Sequence, residues 1–271
     1  MCYDISFSSN IQLITDYLPD LVVDPQLSIG FDFDMAIHVM AQAYRKYPVI
    51  IAEDDTAGAR YKLMPFEWGV IADYMNTPEK IKQSRQYMCN AQSEKIINDK
   101  KSFWRRIRAK RCLIPVTGIY EHREIKGWKN KVPYFVRLKE RPMFCIPGLY
   151  YYSPIPDVET GEIKGTFTLI TRSANSIMKQ IHNGGPNVFR MPMFLPKELE
   201  LKWLEPGLTD EAIQQVLDFE MPSEEMDYWP VFTIRSTKPR PDGLEKTAPY
   251  AWPNLPPLGI DESTEQKNLF S

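Results

Sequence analysis

The sequence is poor in the residues that announce a metal or redox centre: of 271 residues, four are cysteine and three are histidine. Cys2, Cys89, Cys112 and Cys145 form no C-x-x-C pair and have no close histidine partner, which sets a structural zinc site aside. A disulfide framework is not expected for so few, scattered cysteines in a chain of this size. Long hydrophobic runs are missing too. Nothing approaches the roughly 20 apolar residues needed to cross a bilayer, and the N-terminus lacks the basic and apolar regions of a signal peptide. The cytoplasm is therefore the expected compartment, with no membrane partner. Nor is either charge in surplus: 33 Lys and Arg against 35 Asp and Glu give a net charge of −2. That balance argues against strong nonspecific adhesion to nucleic acid and leaves a local basic groove open.

What is present is a globular composition, 43% hydrophobic and 25% charged, in a chain long enough to bury a sizeable core. The apolar pattern is mostly strand-like. PVIIAED (48–54), YKLMPFEWGVIA (61–72), RCLIPVTGIYEH (111–122), PYFVRLK (133–139), PMFCIPGLYYY (142–152) and TFTLITR (166–172) are rich in β-branched and aromatic residues. Helix starts are fewer: Thr77-Pro78, Asn175 before SIMKQI, and Thr209-Asp210 before EAIQQVLDF. Strands without regular βαβ alternation predict a single α+β domain over residues 1–237, with a strongly bent, mainly antiparallel, barrel-like sheet and peripheral helices. From Lys238 to Ser271 six prolines and little periodicity predict an irregular tail, packed over the surface through Tyr250 and Trp252 or partly disordered.

Four stretches carry chemical capability. In MCYD, removal of Met1 would leave Cys2 with an α-amine and a thiol two carbons apart, with reference pKa values of about 7.7 to 8.0 and about 8.5. Such a pair condenses with an aldehyde, first as a Schiff base and then as a thiazolidine ring; position alone equally fits an inert thiol. In MCNAQSE, Asn90 is an orienting amide or a turn residue, and Glu94 fits the first turn of a following helix. In VTGIYEH, Glu121 ends an apolar segment, where partial desolvation would raise its pKa toward the range useful for proton transfer; the alternative is a solvated strand end, to which His122 is assigned. In SANSIMKQIHNGGPNVFRMPMFL, His182 falls at a helix end beside a glycine-rich loop, as a functional imidazole or as a C-terminal dipole partner.

Taken in order, Cys2, Trp68-Gly69-Val70, Asn90 to Glu94, Arg111 to Glu121, Ile170 to His182 and Arg190-Met191-Pro192 form a series that resembles the SRAP family, whose members bind abasic sites in DNA. The resemblance runs from Cys2 to about residue 235. It implies a protein that shields single-stranded DNA by linking its N-terminal cysteine to the ring-opened abasic sugar as a thiazolidine. Cys2 would be the nucleophile, Asn90 would position its amine and thiol, Glu121 would shuttle protons, and His182 would assist ring opening and crosslink reversal. No cofactor or metal is implied, the expected state is a monomer, and a bacterial-type protein of this kind would associate with the nucleoid when bound to DNA.

Two positions depart from the family pattern. Arginines are common where this chain has Asp4 and Gln92, so positive charge is removed near the reactive centre. KKSFWRRIRAKR, residues 100–111, has seven basic residues and no acidic one and is a candidate to compensate, although Phe103, Trp104 and Ile107 fit the core at helical spacing. The DNA contacts expected are Trp68, Gln92, Arg105, Arg106 and Arg190, with Trp68 divided between a wedge against bases and the core. Two rival readings stand beside this one: an N-terminal-nucleophile thiol peptidase or autoprotease, and a noncatalytic DNA-binding module.

Overall fold

A computed structural model describes residues 2–30, 34–53, 60–236 and 240–261. In chain order the strands are β1 (Asp4–Ser6), β2 (Leu21–Val23), β3 (Val39–Met40), β4 (Lys46–Glu53), β5 (Arg60–Trp68), β6 (Asn90–Gln92) and β7 (Arg111–Val116). They continue with β8 (Gly118–Arg123), β9 (Val132–Leu138), β10 (Phe144–Tyr152), β11 (Gly165–Ser173), β12 (Arg190–Pro192) and β13 (Met226–Pro230). The helices are α1 (Ile11–Tyr17), α2 (Pro25–Gly30), α3 (Pro78–Ser84), α4 (Phe103–Arg106), α5 (Ser176–Ile181), α6 (Lys197–Leu204) and α7 (Asp210–Leu217).

The larger sheet runs β12-β11-β10-β7-β4-β5-β2, and a further parallel pairing of β11 with β5 closes five of its strands into a ring. Most pairings are antiparallel; β6 on β11 and β2 on β5 are parallel. The smaller sheet, β13-β9-β8-β1-β3, is antiparallel throughout. The fold is thus the α+β class the strand pattern predicted, with the barrel-like curl supplied by that closure.

Each predicted helix start is occupied by its cap. Thr77 accepts from Lys80 N at 3.4 Å, Asn175 from Met178 N at 3.0 Å and Thr209 from Ala212 N at 3.2 Å, each satisfying an otherwise orphaned first-turn N–H. The strand stretches need three corrections. The segment predicted over 61–72 stops at Trp68, because Gly69 takes φ +94° and turns its N–H to Phe167 O at 2.8 Å. The segment over 111–122 is two strands that part at Thr117 and join different sheets. The segment at 48–54 ends within the described residues at Glu53, and Asp54 lies outside them.

Residues 240–261 carry no helix or strand beyond a bridge from Pro249 to Val231. They are nonetheless anchored. Tyr250 N donates to Pro230 O at 2.8 Å and the Trp252 indole to Val231 O at 2.9 Å. The buried Arg123 guanidinium donates to the carbonyls of Pro256, Pro257 and Ile260 and to the Asp261 carboxylate. Lys238, Pro239 and residues 262–271 of the proposed tail lie outside the described residues.

Candidate active site around Cys2

Three chain segments bring the candidate residues together. β1 is inserted between β3 and β8 with Asp4 opposite Tyr120 and Ile5 opposite Ile119. The same antiparallel register, carried back along the chain, sets Cys2 and Tyr3 beside Glu121 and His122. β6 delivers Asn90 from the larger sheet, where it is registered with Leu169. The β11–α5–β12 unit delivers His182 as the C-cap of α5, its N–H bonded to Met178 O at 2.7 Å.

Cys2 is fully buried, and its thiol lies 3.5 Å from Asp4 O. The Asn90 side-chain amide donates to Cys2 O at 2.9 Å, so Asn90 is an interior strand residue and not a turn residue. Its Oδ1 is buried and has no hydrogen-bond partner among the described residues. Glu121 is 3% exposed, and one of its carboxyl oxygens is likewise buried and unpartnered. Burial, reinforced by the nearby Asp4 carboxylate and offset in part by a hydrogen bond from Cys2, pushes the Glu121 pKa up to about 7. Burial also raises the Cys2 thiol well above its ordinary value, with the Glu121 charge adding to it.

The His182 ring is held by Nδ1, 2.7 Å from Arg190 O. A carbonyl only accepts, so Nδ1 carries the proton and Nε2 is the basic nitrogen. Burial foremost lowers its pKa to about 4, leaving the ring neutral at pH 7. The carbonyl that holds it follows Phe189, a non-glycine residue in the left-handed region at φ 58°. Phe189 is fixed there by bonds from its N–H to His182 O and from Ala174 N–H to its own carbonyl.

A groove of about 780 Å³ opens beside these groups, lined by Glu121, His182, Tyr3, Asp4, Arg235 and Trp252 among others. Its edge holds a charge cluster around the buried Asp4 carboxylate. The Asp4 carboxylate meets His38 Nε2 at 2.8 Å and the Arg235 guanidinium at 2.6 and 3.3 Å. Burial opposes its charge, but the His38 and Arg235 hydrogen bonds outweigh that and hold its pKa below the ordinary value. His122, assigned from sequence to the solvated strand end, is a correction: it lines the groove, and burial lowers its pKa. His38, Arg235, Phe232 and Trp252 were not singled out for this site. Arg235 is 231 residues from Asp4, and no local motif points to it.

The expected DNA contacts fall elsewhere. Trp68 is 1% exposed, stacked on Phe167 and bonded through its indole to Cys89 O at 2.8 Å, so of its two readings the structure has the core one. Arg105 pairs with Asp210, and Arg106 forms a two-pronged pair with Asp73. Arg190 pairs with Glu94 through both nitrogens, and Gln92 sits in β6 opposite Thr171. None of these five residues lines the groove. Cys89, Cys112 and Cys145 are buried, as their apolar settings suggested. Among the described residues no three His, Cys, Asp or Glu side chains converge as metal ligands, and no helix is long and apolar enough to cross a membrane.

The curled sheet and this arrangement define a class of α+β proteins in which the segment leading into the first strand carries a cysteine to an amide and a buried carboxyl, with a neutral imidazole lining the adjoining groove. Comparison with known sequences gives the class its family: residues 10–234 match SRAP, SOS response associated peptidase, and the chain belongs to that family. It is 32% identical over 177 residues to the abasic site processing protein YoqW of Bacillus subtilis, a match covering 65% of this chain and 72% of the relative. A second Bacillus subtilis protein, abasic site processing protein YoaM, is 31% identical over 177 residues, 65% of this chain and 71% of its own. Among solved structures, a protein from Bacteroides thetaiotaomicron superposes with a TM-score of 0.71 at 31% identity, covering 85% of this chain and 92% of that one. A Bordetella bronchiseptica protein shares the fold with a TM-score of 0.66 at 18% identity.

Proposed function

We propose that this chain processes abasic sites in single-stranded DNA by forming a thiazolidine between Cys2, freed of Met1, and the ring-opened sugar. The observation that carries the reading is Glu121: a buried carboxyl with its pKa raised to about 7, against the cysteine whose carbonyl Asn90 holds. A proton shuttle works best when its pKa lies near the working pH. The names of the Bacillus relatives support the abasic site as substrate.

The chemistry follows from the groups present. His182 Nε2 takes the anomeric hydroxyl proton as the bond from the anomeric carbon to the ring oxygen breaks, and returns it to that oxygen, which becomes the free hydroxyl of the ring-opened aldehyde. The Cys2 amine attacks the aldehyde carbon to give a carbinolamine, and protonated Glu121 donates to the departing hydroxyl, releasing water and leaving a Schiff base. The thiol then adds to the imine carbon. Its proton returns to the Glu121 carboxylate as the protonated imine nitrogen takes up the C=N electron pair, so the sum is one new C–N bond, one new C–S bond and one water lost. Cys2 is fully buried, so conjugation requires exposure of the thiol as well as the free amine that removal of Met1 supplies.

The test is to incubate the processed protein with uracil-containing single-stranded DNA treated with a glycosylase and to assay for a denaturation-resistant conjugate. Wild type should give the conjugate and Cys2→Ala should not; equal behaviour sinks the reading. Turnover of peptides without DNA would carry the peptidase reading instead, and mass spectrometry of the mature N-terminus establishes whether the amine is free.

A further inference from the structure

Asp4 stands where the family resemblance leads one to expect an arginine, and the fold answers it with another one. The Asp4 carboxylate is 3% exposed and takes Arg235 through Nε and Nη2, while His38 holds its first oxygen. A guanidinium has five N–H donors in a rigid fork. Two are used on Asp4, so three remain on a side chain that is 51% exposed and lines the groove. Lys131 also lines it; its pairing with Glu124 at 2.8 Å is solvent-exposed and weak enough to exchange for another anion.

The same groove has an aromatic wall. Phe232, three residues before Arg235, stacks on Trp252 with centroids 6.1 Å apart and planes at 14°. Tyr250 packs edge-on against the indole at 5.3 Å and Trp128 lies 6.4 Å from it, while Nε1 is anchored on Val231 O. The ring is held at fixed orientation yet remains half-buried and in the lining of the groove. Trp252 belongs to the C-terminal segment, beyond the residues matched to the family.

We propose that this groove is a nucleotide subsite: the Phe232–Trp252 wall stacks the base next to the abasic sugar, and Arg235, with Lys131, grips its phosphate. Asp4 is the positioning residue, holding Arg235 by one edge so that the other faces the strand. Positive charge and aromatic faces are the two elements single-stranded nucleic acid requires, and one groove offers both. A volume of about 780 Å³ lies within the range of sites that enclose a ligand of that size. This inference rests on the abasic-DNA reading for the identity of the strand, and it moves the DNA-contacting charge from Arg105 and Arg106 to Arg235.

The experiment measures equilibrium binding of a fluorescent single-stranded oligonucleotide without abasic sites across a salt series. Asp4→Asn/Arg235→Gln removes the charge without stranding a buried carboxylate; it should weaken binding about tenfold and lower the slope of log K against log salt by about 0.7. Trp252→Ala should weaken binding about tenfold at unchanged slope, and Trp252→Phe should stay near wild type. Thermal unfolding of each variant is followed alongside. If a variant unfolds, wild-type protein is irradiated with an oligonucleotide carrying 5-iododeoxyuridine beside the abasic site, and the adduct is mapped by mass spectrometry. An adduct on Trp252 or Phe232 supports the subsite; an adduct elsewhere, or unchanged affinity and slope in folded variants, overturns it. Cys2-dependent conjugation is scored separately at saturating protein. Its absence would refute the thiazolidine reading whatever the binding data show, and its presence with unchanged binding would refute the subsite alone.

Discussion

The side-chain amide of Asn90 donates to the carbonyl oxygen of Cys2 at 2.9 Å, tying the larger sheet to the segment that leads into the first strand of the smaller one. The bond leaves Asn90 Oδ1 buried without a partner among the described residues. Asn90→Asp keeps an acceptor and loses the donor, and Asn90→Ala loses both. Both variants should form the DNA conjugate at least about tenfold more slowly than wild type, while chemical denaturation should register a loss of only about 1 to 2 kcal/mol, the cost of one buried hydrogen bond. A fall in stability large enough to unfold the protein would mean that Asn90 is structural first.

Glu121 gives the site its pH dependence. Its carboxyl titrates near 4.5 in the unfolded chain and at about 7 in the folded one, so the folded state binds the extra proton between those values and stability falls as pH rises through the window. The full penalty, on the order of 3 kcal/mol, is present above pH 7. Glu121→Gln removes it. The variant should be more stable than wild type at pH 8, of equal stability near pH 4, and inactive in conjugation. Denaturant melts at the two pH values check the first two outcomes, and the absence of DNA conjugate from the variant at either pH checks the third.

His182 acts in the opposite direction. Its imidazole is held neutral, with a folded pKa of about 4 against 6.5 unfolded, so the unfolded chain binds the proton first and stability falls as pH drops from 6.5 toward 4. Between pH 4.5 and 6.5 this slope opposes that of Glu121. His182→Gln keeps a donor toward Arg190 O and should expose the Glu121 slope alone: stability rising steadily as pH falls across that interval. Wild type should be nearly flat there. Parallel pH curves for the two proteins would show that His182 is not neutral in the folded state.

Much of this arrangement was legible in the sequence because its signals are local. Thr77, Asn175 and Thr209 announce helix starts through the hydrogen bond each cap makes, and the β-branched runs announce strands. The ordered motifs pointed to Cys2, Asn90, Glu121 and His182, of which Asn90 bonds Cys2 and Glu121 and His182 line one groove. What could not be read was any property that depends on a distant partner. The Arg105–Arg106 run reads as unpaired charge until Asp210 and Asp73 are seen to pair with it. Asp4 looks like a loss of charge until Arg235 arrives from 231 residues away. His122 looks solvated until the loop after His182 and the C-terminal segment complete a groove around it.

Trp68 separates core from contact directly. Its ring is buried on Phe167 and its indole N–H is satisfied by Cys89 O, so it has no face to offer a base. Trp68→Ala should cost about 3 to 5 kcal/mol through the cavity it leaves. Trp68→Phe should cost less, leaving the Cys89 carbonyl with the Leu169 N–H as its remaining donor. Neither loss should be accompanied by a change in the salt dependence of DNA binding measured on the folded fraction. A folded Trp68→Phe protein with weakened binding would place the ring at the DNA after all.

The C-terminal segment is fastened by a charge that has no other use in the fold. Arg123 is fully buried in β8 beside the site strand, and its guanidinium is satisfied by the carbonyls of Pro256, Pro257 and Ile260, the Asp261 carboxylate and the Tyr134 hydroxyl. Truncation before residue 240 would strip away all of these acceptors except Tyr134, leaving a cation in the interior with its compensation gone. Breaking a buried pair in this way costs about 3 to 5 kcal/mol, enough to lower the melting temperature by roughly 6 to 20 °C in a chain of this length. Arg123→Met in the truncated protein removes the uncompensated charge while filling most of the space. It should recover much of the lost stability, whereas the same substitution in the full chain should destabilise, because the carbonyls of Pro256 and Ile260 then lose their Arg123 donor. Thermal melts of the four proteins form a double-mutant cycle; additive effects would show that the segment and Arg123 do not depend on one another.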